Sequence, residues 1–376
     1  MRDTVLIKSN VKNPGGLEKF AHRLAEAFIQ RGDKVSLLTS GGATESGLLP
    51  MQVHSFSVQT WPPFLRMEQF DRAVTDWLGK NRADIIFGMD RNRKQTHIRC
   101  GNGVHAAYLK SRIRSEGRWK YWTCLINPLH RKILSLEKEG LENRQLQKIF
   151  TNSYMVKREI LEHYDVSPTL IEVIHNGVEW EEMETSFQNW KEGKTQRLTH
   201  LALDHQQIHF LFIGNGYQRK GLDALLQALS IWEFRDFHLT VIGKDKHLDA
   251  YREKARNLGL KERVLFLGPQ PDVRPFYQMA DALLIPSFYD PFANVTVEAL
   301  AMGLFVVTSP HNGGSEILNF ETGCVIENLL DPFSILEALW KAVRRPKTEP
   351  AANMRRNSVK HLDFSRQLKR YLDLCA

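Results

Sequence analysis

The chain has 376 residues, 42% of them hydrophobic and 25% charged, with a formal net charge of +8. That length leaves room for two domains with separate cores, and no apolar run approaches the roughly 20 residues that span a bilayer; Ala299–Val307 is among the longest. Four scattered cysteines without a Cys-x-x-Cys pair argue against a disulfide framework or a zinc site. They suit a reducing cytoplasm, as does an amino terminus that runs directly into a strand pattern with no signal peptide. The positive charge implies an anionic partner: nucleic acid, a phospholipid surface or a phosphorylated substrate.

Strand and helix patterns alternate from the start. Val5-Leu6-Ile7 reads as a strand, and Leu17–Gln30 as an amphipathic helix with Phe20, Leu24, Ala27 and Phe28 on one face. Strands at Lys34–Thr39 and Asp84–Met89 follow, with a helix over Glu68–Leu78 between them. Next come a strand at Lys148–Thr151, a helix at Tyr154–His163 and a strand at Thr169–Ile174. Residues 180–207 are charged and irregular, which predicts an inter-domain linker and the entry to a second domain. Beyond it, strands are predicted at 208–213, 238–242, 263–267, 282–286 and 304–308, with helices between them. Such alternation predicts an α/β protein with parallel sheets covered on both faces, arranged as two Rossmann-like domains. Asp363-Phe364-Ser365 caps a last helix.

Two stretches concentrate positive charge. Lys110, Arg112, Arg114, Arg118 and Lys120 interleave with Trp119 and lead into Tyr121 and Trp122, against the single acid Glu116. Cations attract anionic headgroups, and Trp and Tyr settle at headgroup level, so these residues are candidates for contact with an anionic membrane surface. The other reading is a solvated basic helix with its rings turned inward. Arg344-Arg345 and Arg355-Arg356 read as a solvated face.

Two carboxylates mark the candidate site. Asp290 lies in a turn-forming Asp-Pro-Phe just after the apolar run Ala282–Ile285, and Glu298 lies one turn into a helical pattern that stops at Gly303. One acid thus stands at the carboxyl end of a strand and the other on the helix it feeds, the edge where open α/β sheets bind ligands. Carboxylates accept hydrogen bonds from hydroxyls, which suits a polyhydroxylated ligand; a helix capped by Asp290 with Glu298 in solvent fits the same residues. Between the strand Ile208–Ile213 and the helix Leu222–Leu229 lies Gly214-Asn215-Gly216-Tyr217-Gln218-Arg219-Lys220-Gly221. Glycine admits close approach to the backbone, a helix amino end favours anions, and Arg219 and Lys220 add two charges on what reads as a surface loop. The loop is a candidate diphosphate site; a solvated basic pair is the alternative. His105, in the Gly-rich turn Gly101-Asn102-Gly103-Val104-His105, is either a site residue or a helix-capping or surface histidine. His97 and Arg99 nearby could face a phosphorylated or acidic acceptor.

In this order along the chain, these motifs resemble the retaining glycosyltransferases of family 4, which have the GT-B fold of two Rossmann-like domains facing across a cleft. Pro14-Gly15-Gly16-Leu17-Glu18, Thr151-Asn152-Ser153, Val173-Ile174-His175-Asn176-Gly177-Val178-Glu179, the Arg219-Lys220-Gly221 loop and the Asp290/Glu298 pair carry the likeness over nearly the whole chain. The family usually has Glu where this chain has Asp290; the charge is kept and the reach is one methylene shorter. The resemblance implies a domain of residues 1–180 that binds the acceptor, completed by a carboxyl-terminal helix at about 362–376, and a donor-binding domain of residues 181–361. It implies that Arg219 and Lys220 meet the diphosphate, with backbone amides after Gly221, in the Gly15-Gly16 loop, at Gly214 and around Asn294 and Val295. By the same resemblance Asp290 holds donor-sugar hydroxyls, Glu298 the nucleotide ribose, and His105 the transferred sugar or acceptor. The Gly-Asn-Gly-Val-His-Ala turn further resembles bacterial enzymes that build lipopolysaccharide core on a lipid acceptor at the inner leaflet.

The expected activity is therefore transfer of a sugar from a nucleotide sugar, a UDP-sugar foremost, to a lipid-linked glycan by a protein peripheral on the cytoplasmic membrane. Other acceptors in the family are capsule, exopolysaccharide and glycolipid, and a non-catalytic sugar-nucleotide-binding homologue fits the same motifs. No two aspartates are spaced by a single residue, so the Asp-x-Asp cation site of other glycosyltransferases is absent and no metal or cofactor is expected. Nucleic acid is not an expected partner, since no helix-turn-helix, zinc-finger or aromatic sheet motif is present. A dehydrogenase would need a complete Gly-x-Gly-x-x-Gly, whereas Gly214-Asn215-Gly216 is followed by Arg219.

Overall fold

The computed structural model describes residues 1–10, 16–41 and 50–376, except for the side chains of residues 16–18, 115, 118 and 120. The chain divides into two compact units, one of Met1–His175 with Ser365–Ala376 and one of Asn176–Phe364. Each is built on a wholly parallel sheet.

In the first unit the strands are β1 (Asp3–Ile7), β2 (Lys34–Thr39), β3 (Gln52–Ser55), β4 (Ile85–Gly88), β5 (His97–Arg99), β6 (Lys148–Thr151) and β7 (Ile171–Val173). They lie side by side as β3-β2-β1-β4-β5-β6-β7. The second unit contributes β8 (Ile208–Ile213), β9 (Phe237–Ile242), β10 (Val264–Gly268), β11 (Ala282–Ile285), β12 (Phe305–Thr308) and β13 (Gly323–Val325). Their order is β10-β9-β8-β11-β12-β13. Parallel strands need crossover connections, and helices supply most of those described, so both sheet faces are covered and the inner strands become continuous apolar runs. Every residue of β9, β11 and β12 is buried.

Three predicted features differ. Residues 180–207 are no linker: helices Glu184–Gln188 and Trp190–His200 place Phe187, Trp190 and Leu198 in or against the second core. Those three anchors are widely spaced, and alongside them Lys194 pairs with Asp281 at 2.6 Å and Arg197 lies over the Phe276 ring. Arg355 and Arg356 are not a solvated face but are buried. Arg355 donates to the carbonyls of Arg345 (2.9 Å), Glu321 (3.3 Å) and Gly303 (3.4 Å), and Arg356 to those of Ala301 (2.6 Å) and Trp180 (2.7 Å) while stacking 3.9 Å over the Trp180 ring. Each guanidinium satisfies carbonyls left over at the ends of neighbouring elements, which compensates its loss of water. His97, finally, does not face an acceptor: it lies inside the first sheet between the rings of Phe87 and Phe150, stacked at 6.5 and 6.3 Å.

The helix Phe364–Leu374 closes the first core. Tyr371 is buried against Phe20, Phe87 and Phe150, with centroids 5.2, 6.2 and 4.9 Å away. Its hydroxyl accepts from Arg99 Nε at 3.3 Å, and Arg99 also lies over the Phe20 ring. Among the described residues no helix is long and apolar enough to cross a membrane.

Buried histidines give both sheets a pH dependence. Burial drives His97 and His238 down from 6.5 to about 4, so each is neutral in the folded state. In the unfolded chain each takes up a proton below about 6.5. Stability is therefore full above that pH and falls as pH drops from 6.5 towards 4, by up to about 1.4 kcal/mol per unit for each histidine. Urea unfolding at pH 7.5, 6, 5 and 4.5 measures the slope, and His238→Gln is expected to reduce it.

Candidate active site

In the second sheet the chain runs outward from β8 through β9 to β10, then returns to the other side of β8 as β11. The loops after β8 and β11 therefore diverge from adjacent strands at their carboxyl ends, which is where open α/β sheets form a ligand crevice. Arg219 and Lys220 stand on the first loop, Tyr289 and Asp290 on the second.

The loops are clamped together. Lys220 Nζ donates to Asp290 Oδ2, and Arg219 Nη1 donates to the Tyr289 carbonyl at 2.8 Å and to Asp290 Oδ2 at 3.4 Å. The Phe288 amide closes the arrangement by donating to the Arg219 carbonyl at 2.8 Å. Lys220 is not on an open surface, as its place in a glycine loop suggested: it is buried, as is Asp290, whereas the Arg219 side chain is 38% exposed. Glycine makes this possible at two positions. A Cβ at Gly214 would sit 3.0 Å from Lys220 Cγ, so its absence leaves room for the lysine stem. Gly221 has φ +80°, and a Cβ there would come within 1.9 Å of the Pro286 carbonyl oxygen. Burial alone would raise the Asp290 carboxyl, but Lys220 and then Arg219 outweigh it and hold the group below its ordinary range. The acid stays ionised although buried.

A residue that motif reading missed organises the far side. Asn312, fully buried after β12, accepts from the amides of Ala293 and Gly314 at 3.0 Å through Oδ1 and donates through Nδ2 to Thr308 Oγ1 at 2.8 Å. On either side of it, the Asp290 amide donates to the His311 carbonyl (2.8 Å) and the Gly313 amide to the Asp290 carbonyl (2.9 Å). The signal was present in His311-Asn312-Gly313-Gly314, a turn sequence directly after an apolar strand.

Helix Asn294–Ala301 begins beside this zipper. Thr296, Val297, Ala299, Leu300 and Ala301 are buried, leaving Asn294, Val295 and Glu298 half-buried. Asn294 Oδ1 accepts from Asn176 Nδ2 at 2.7 Å, which gives a contact to the Val173–Glu179 motif that had no assigned role. Glu298 Oε2 accepts from Tyr277 Oη at 2.7 Å. The amides expected to be available after Gly221 are partly used within the loop, since Gly221 donates to the Gln218 carbonyl and Leu222 to that of Tyr217.

The remaining candidates lie in the first unit. Gly15 and the side chains of Arg118 and Lys120 are outside the described residues; Gly16 opens the helix Gly16–Gln30. His105 is the first residue of helix His105–Glu116 and is buried, its Nε2 3.0 Å from His130 Nδ1 and its amide donating to both Glu137 oxygens, at 3.0 and 2.8 Å. Burial first, then Arg91, His130 and Arg112, push the ring down to about 3, so it is neutral. Glu137 also accepts from Arg91 Nε at 2.9 Å and Tyr164 Oη at 2.7 Å. Of the basic–aromatic stretch, Lys110 pairs with Glu162 (2.7 Å) and Arg112 with Glu116 (2.6 Å), while Arg114 is exposed. Trp119 is 82% and Trp122 62% exposed, with Tyr121 half-buried. A cavity of about 830 Å³ in this unit is lined by Arg2, Arg31, Asp33 and Lys369 at the amino-terminal edge of the sheet, and no candidate site residue lines it. Among the described residues no group of three or more His, Cys, Asp or Glu side chains is placed to hold a metal ion.

Comparison with known proteins gives this geometry a context. Residues 14–182 match the family model "Glycosyltransferase Family 4", and residues 195–361 match "Glycosyl transferases group 1". The chain is 26% identical over 336 residues to an uncharacterized glycosyltransferase of Methanocaldococcus jannaschii, covering 85% of this chain and 83% of that one. It is 23% identical over 346 residues to the lipopolysaccharide glucosyltransferase WaaG of Escherichia coli, covering 90% and 88%. A D-inositol 3-phosphate glycosyltransferase of Corynebacterium aurimucosum is 29% identical over 187 residues, and there the match spans 47% of this chain and 43% of the relative. A crystal structure of WaaG superposes with a TM-score of 0.78 at 19% identity, covering 99% of both chains. Anabaena HepE in complex with UDP-glucose superposes at 0.65 with 15% identity, covering 99% of both. The fold is GT-B.

Removing one partner of a buried ion pair strands the other charge, at a cost of about 3–5 kcal/mol. Lys220→Ala and Asp290→Ala are each expected to destabilise the protein by that order. In urea unfolding, the double variant should lose less than the sum of the two single losses.

Proposed function

Because the chain belongs to the group 1, family 4 glycosyltransferases and is a nucleotide-sugar transferase, we propose that it is a retaining, metal-independent enzyme acting on a lipid-anchored glycan, lipopolysaccharide core foremost. The observation that carries this reading is the Arg219–Lys220–Asp290 cluster at the carboxyl ends of β8 and β11. Leaving-group departure puts negative charge on a diphosphate and positive charge on the sugar. Fixed cations beside the one and a fixed carboxylate beside the other stabilise both without reorganising in the transition state.

In this reading Arg219, the more exposed cation, takes the diphosphate together with Lys220, which also keeps Asp290 ionised for the sugar hydroxyls. Asn294 and Val295, at a helix amino end, face the phosphates with their backbone amides. Glu298 follows four residues on, about 6 Å along the helix axis, a span that suits a diphosphate and the hydroxyls of its ribose. From the first unit, Gly15 and Gly16 contribute amides, and His105 contacts the sugar or acceptor as a neutral imidazole. The HepE complex with UDP-glucose favours a UDP-sugar donor.

The basic–aromatic stretch docks the protein on the cytoplasmic face of an anionic membrane. Exposed Trp119 and Trp122 enter the headgroup layer, and Lys110, Arg112, Arg114, Arg118 and Lys120 supply attraction. The D-inositol 3-phosphate glycosyltransferase relatives favour a second reading, in which the acceptor is a small phosphorylated polyol.

Nucleotide release from UDP-, ADP- and GDP-sugars, with and without lipid A–core or inositol 3-phosphate, tests the reading. Acceptor-dependent release from one donor, undiminished by EDTA, is the expected result; release abolished by EDTA and restored by magnesium would contradict metal independence. Release with inositol 3-phosphate but not lipid A–core would establish the second reading. Replacing Trp119, Tyr121 and Trp122 together by Ser is expected to cut flotation with phosphatidylglycerol vesicles at least about tenfold, and retained flotation would assign those rings to packing.

A further inference from the structure

Two residues outside every motif stand behind Glu298. Tyr277, in the helix Arg274–Met279, is fully buried, and its Oη donates to Glu298 Oε2 at 2.7 Å. Burial first, then the Glu298 charge and the hydrogen bond to it, push the phenol well above its ordinary range, so it remains a donor. Its backbone is held from the other side. Lys347, also buried, donates through Nζ to the Tyr277 carbonyl at 2.9 Å and the Gln278 carbonyl at 3.4 Å, with the Trp190 ring 4.7 Å from Nζ. These carbonyls end a helix, where the backbone lacks partners. The phenol is thus fixed at both its chain and its tip.

A glutamate on a half-buried helix face has several staggered rotamers, and a rigid donor on one carboxylate oxygen selects among them. The phenol occupies one of a carboxylate's about four lone-pair sites. We infer that Tyr277 is a positioning residue that aims the Glu298 carboxylate at the ribose hydroxyls of the donor nucleotide, an inference that rests on the ribose role proposed above for Glu298. Lys347 serves the same end by anchoring the helix that carries Tyr277.

Titration calorimetry on the full chain tests this with UDP, ADP and GDP, followed by the 2′,3′-dideoxy counterpart of whichever binds tightest. Wild-type protein is expected to bind the dideoxy nucleotide about tenfold more weakly than the parent. Tyr277→Phe removes one oxygen and keeps the ring; it is expected to shrink that ratio to about threefold or less while the dideoxy affinity stays within about twofold. In a Glu298→Ala background, where the ratio approaches one, adding Tyr277→Phe should change nothing further. Equal weakening of both ligands by Tyr277→Phe, with the ratio kept, would make Tyr277 a packing residue and overturn the inference alone. A ratio unchanged by Glu298→Ala would instead remove the ribose role of Glu298, and no binding by any of the three nucleotides would overturn both.

Discussion

Lys220 and Asp290 meet where the second sheet reverses the direction in which its strands are added, and both are shielded from water. A carboxylate in that position would ordinarily take up a proton; the ammonium against it, with Arg219 beside it, keeps it charged. Much of the surrounding architecture follows from accommodating this pair. Gly214 leaves room for the lysine stem, Gly221 lets the loop pass against the Pro286 carbonyl, and Asn312 fastens the neighbouring turns. Buried ion pairs contribute little net stability compared with apolar residues of the same shape. What this one supplies is a fixed negative charge and an adjacent cation at a sheet edge, an arrangement that solvent-exposed side chains could not hold still.

The first sheet has a smaller counterpart. Its order changes direction between β1 and β4, and the residues just past those strands, Lys8 and Asp90, pair at 3.2 Å. There the carboxylate also takes the Ser9 amide and hydroxyl, at 2.6 and 2.7 Å. Two divergent loops at adjacent strand ends leave polar groups facing one gap, and opposite charges answer each other across it in both units.

Most strands of the second unit were legible because full burial on both faces writes an unbroken apolar run, as in Phe210-Leu211-Phe212-Ile213 and Ala282-Leu283-Leu284-Ile285; Gly323–Val325 has no such run and was not predicted. The short strands Gln52–Ser55 and His97–Arg99 carry polar residues and gave no such run. His97 is buried because Phe87 and Phe150 flank it, rings supplied by two other strands. Arg355 and Arg356 were misread for the same kind of reason: local sequence shows two charges, while the carbonyls that receive them come from residues 301, 303 and 321. At the site, the residue types and their order pointed to Arg219, Lys220, Asp290 and Glu298, yet the burial of Lys220 depends on a partner 70 residues away. Tyr277 acts by touching another candidate site residue, and such a role leaves little trace in spacing.

The aromatic cluster around Tyr371 bears on the order in which the chain can become a protein. The second unit is continuous in sequence, so all of it has been synthesised once Phe364 is made. The first unit is not: Phe20, Phe87 and Phe150 precede the second unit in the chain, but the ring that fills the space among them follows it. During synthesis, domains generally fold as units with the amino-terminal one first. Here the amino-terminal sheet must wait with part of its aromatic core open until the whole of the second unit has been made.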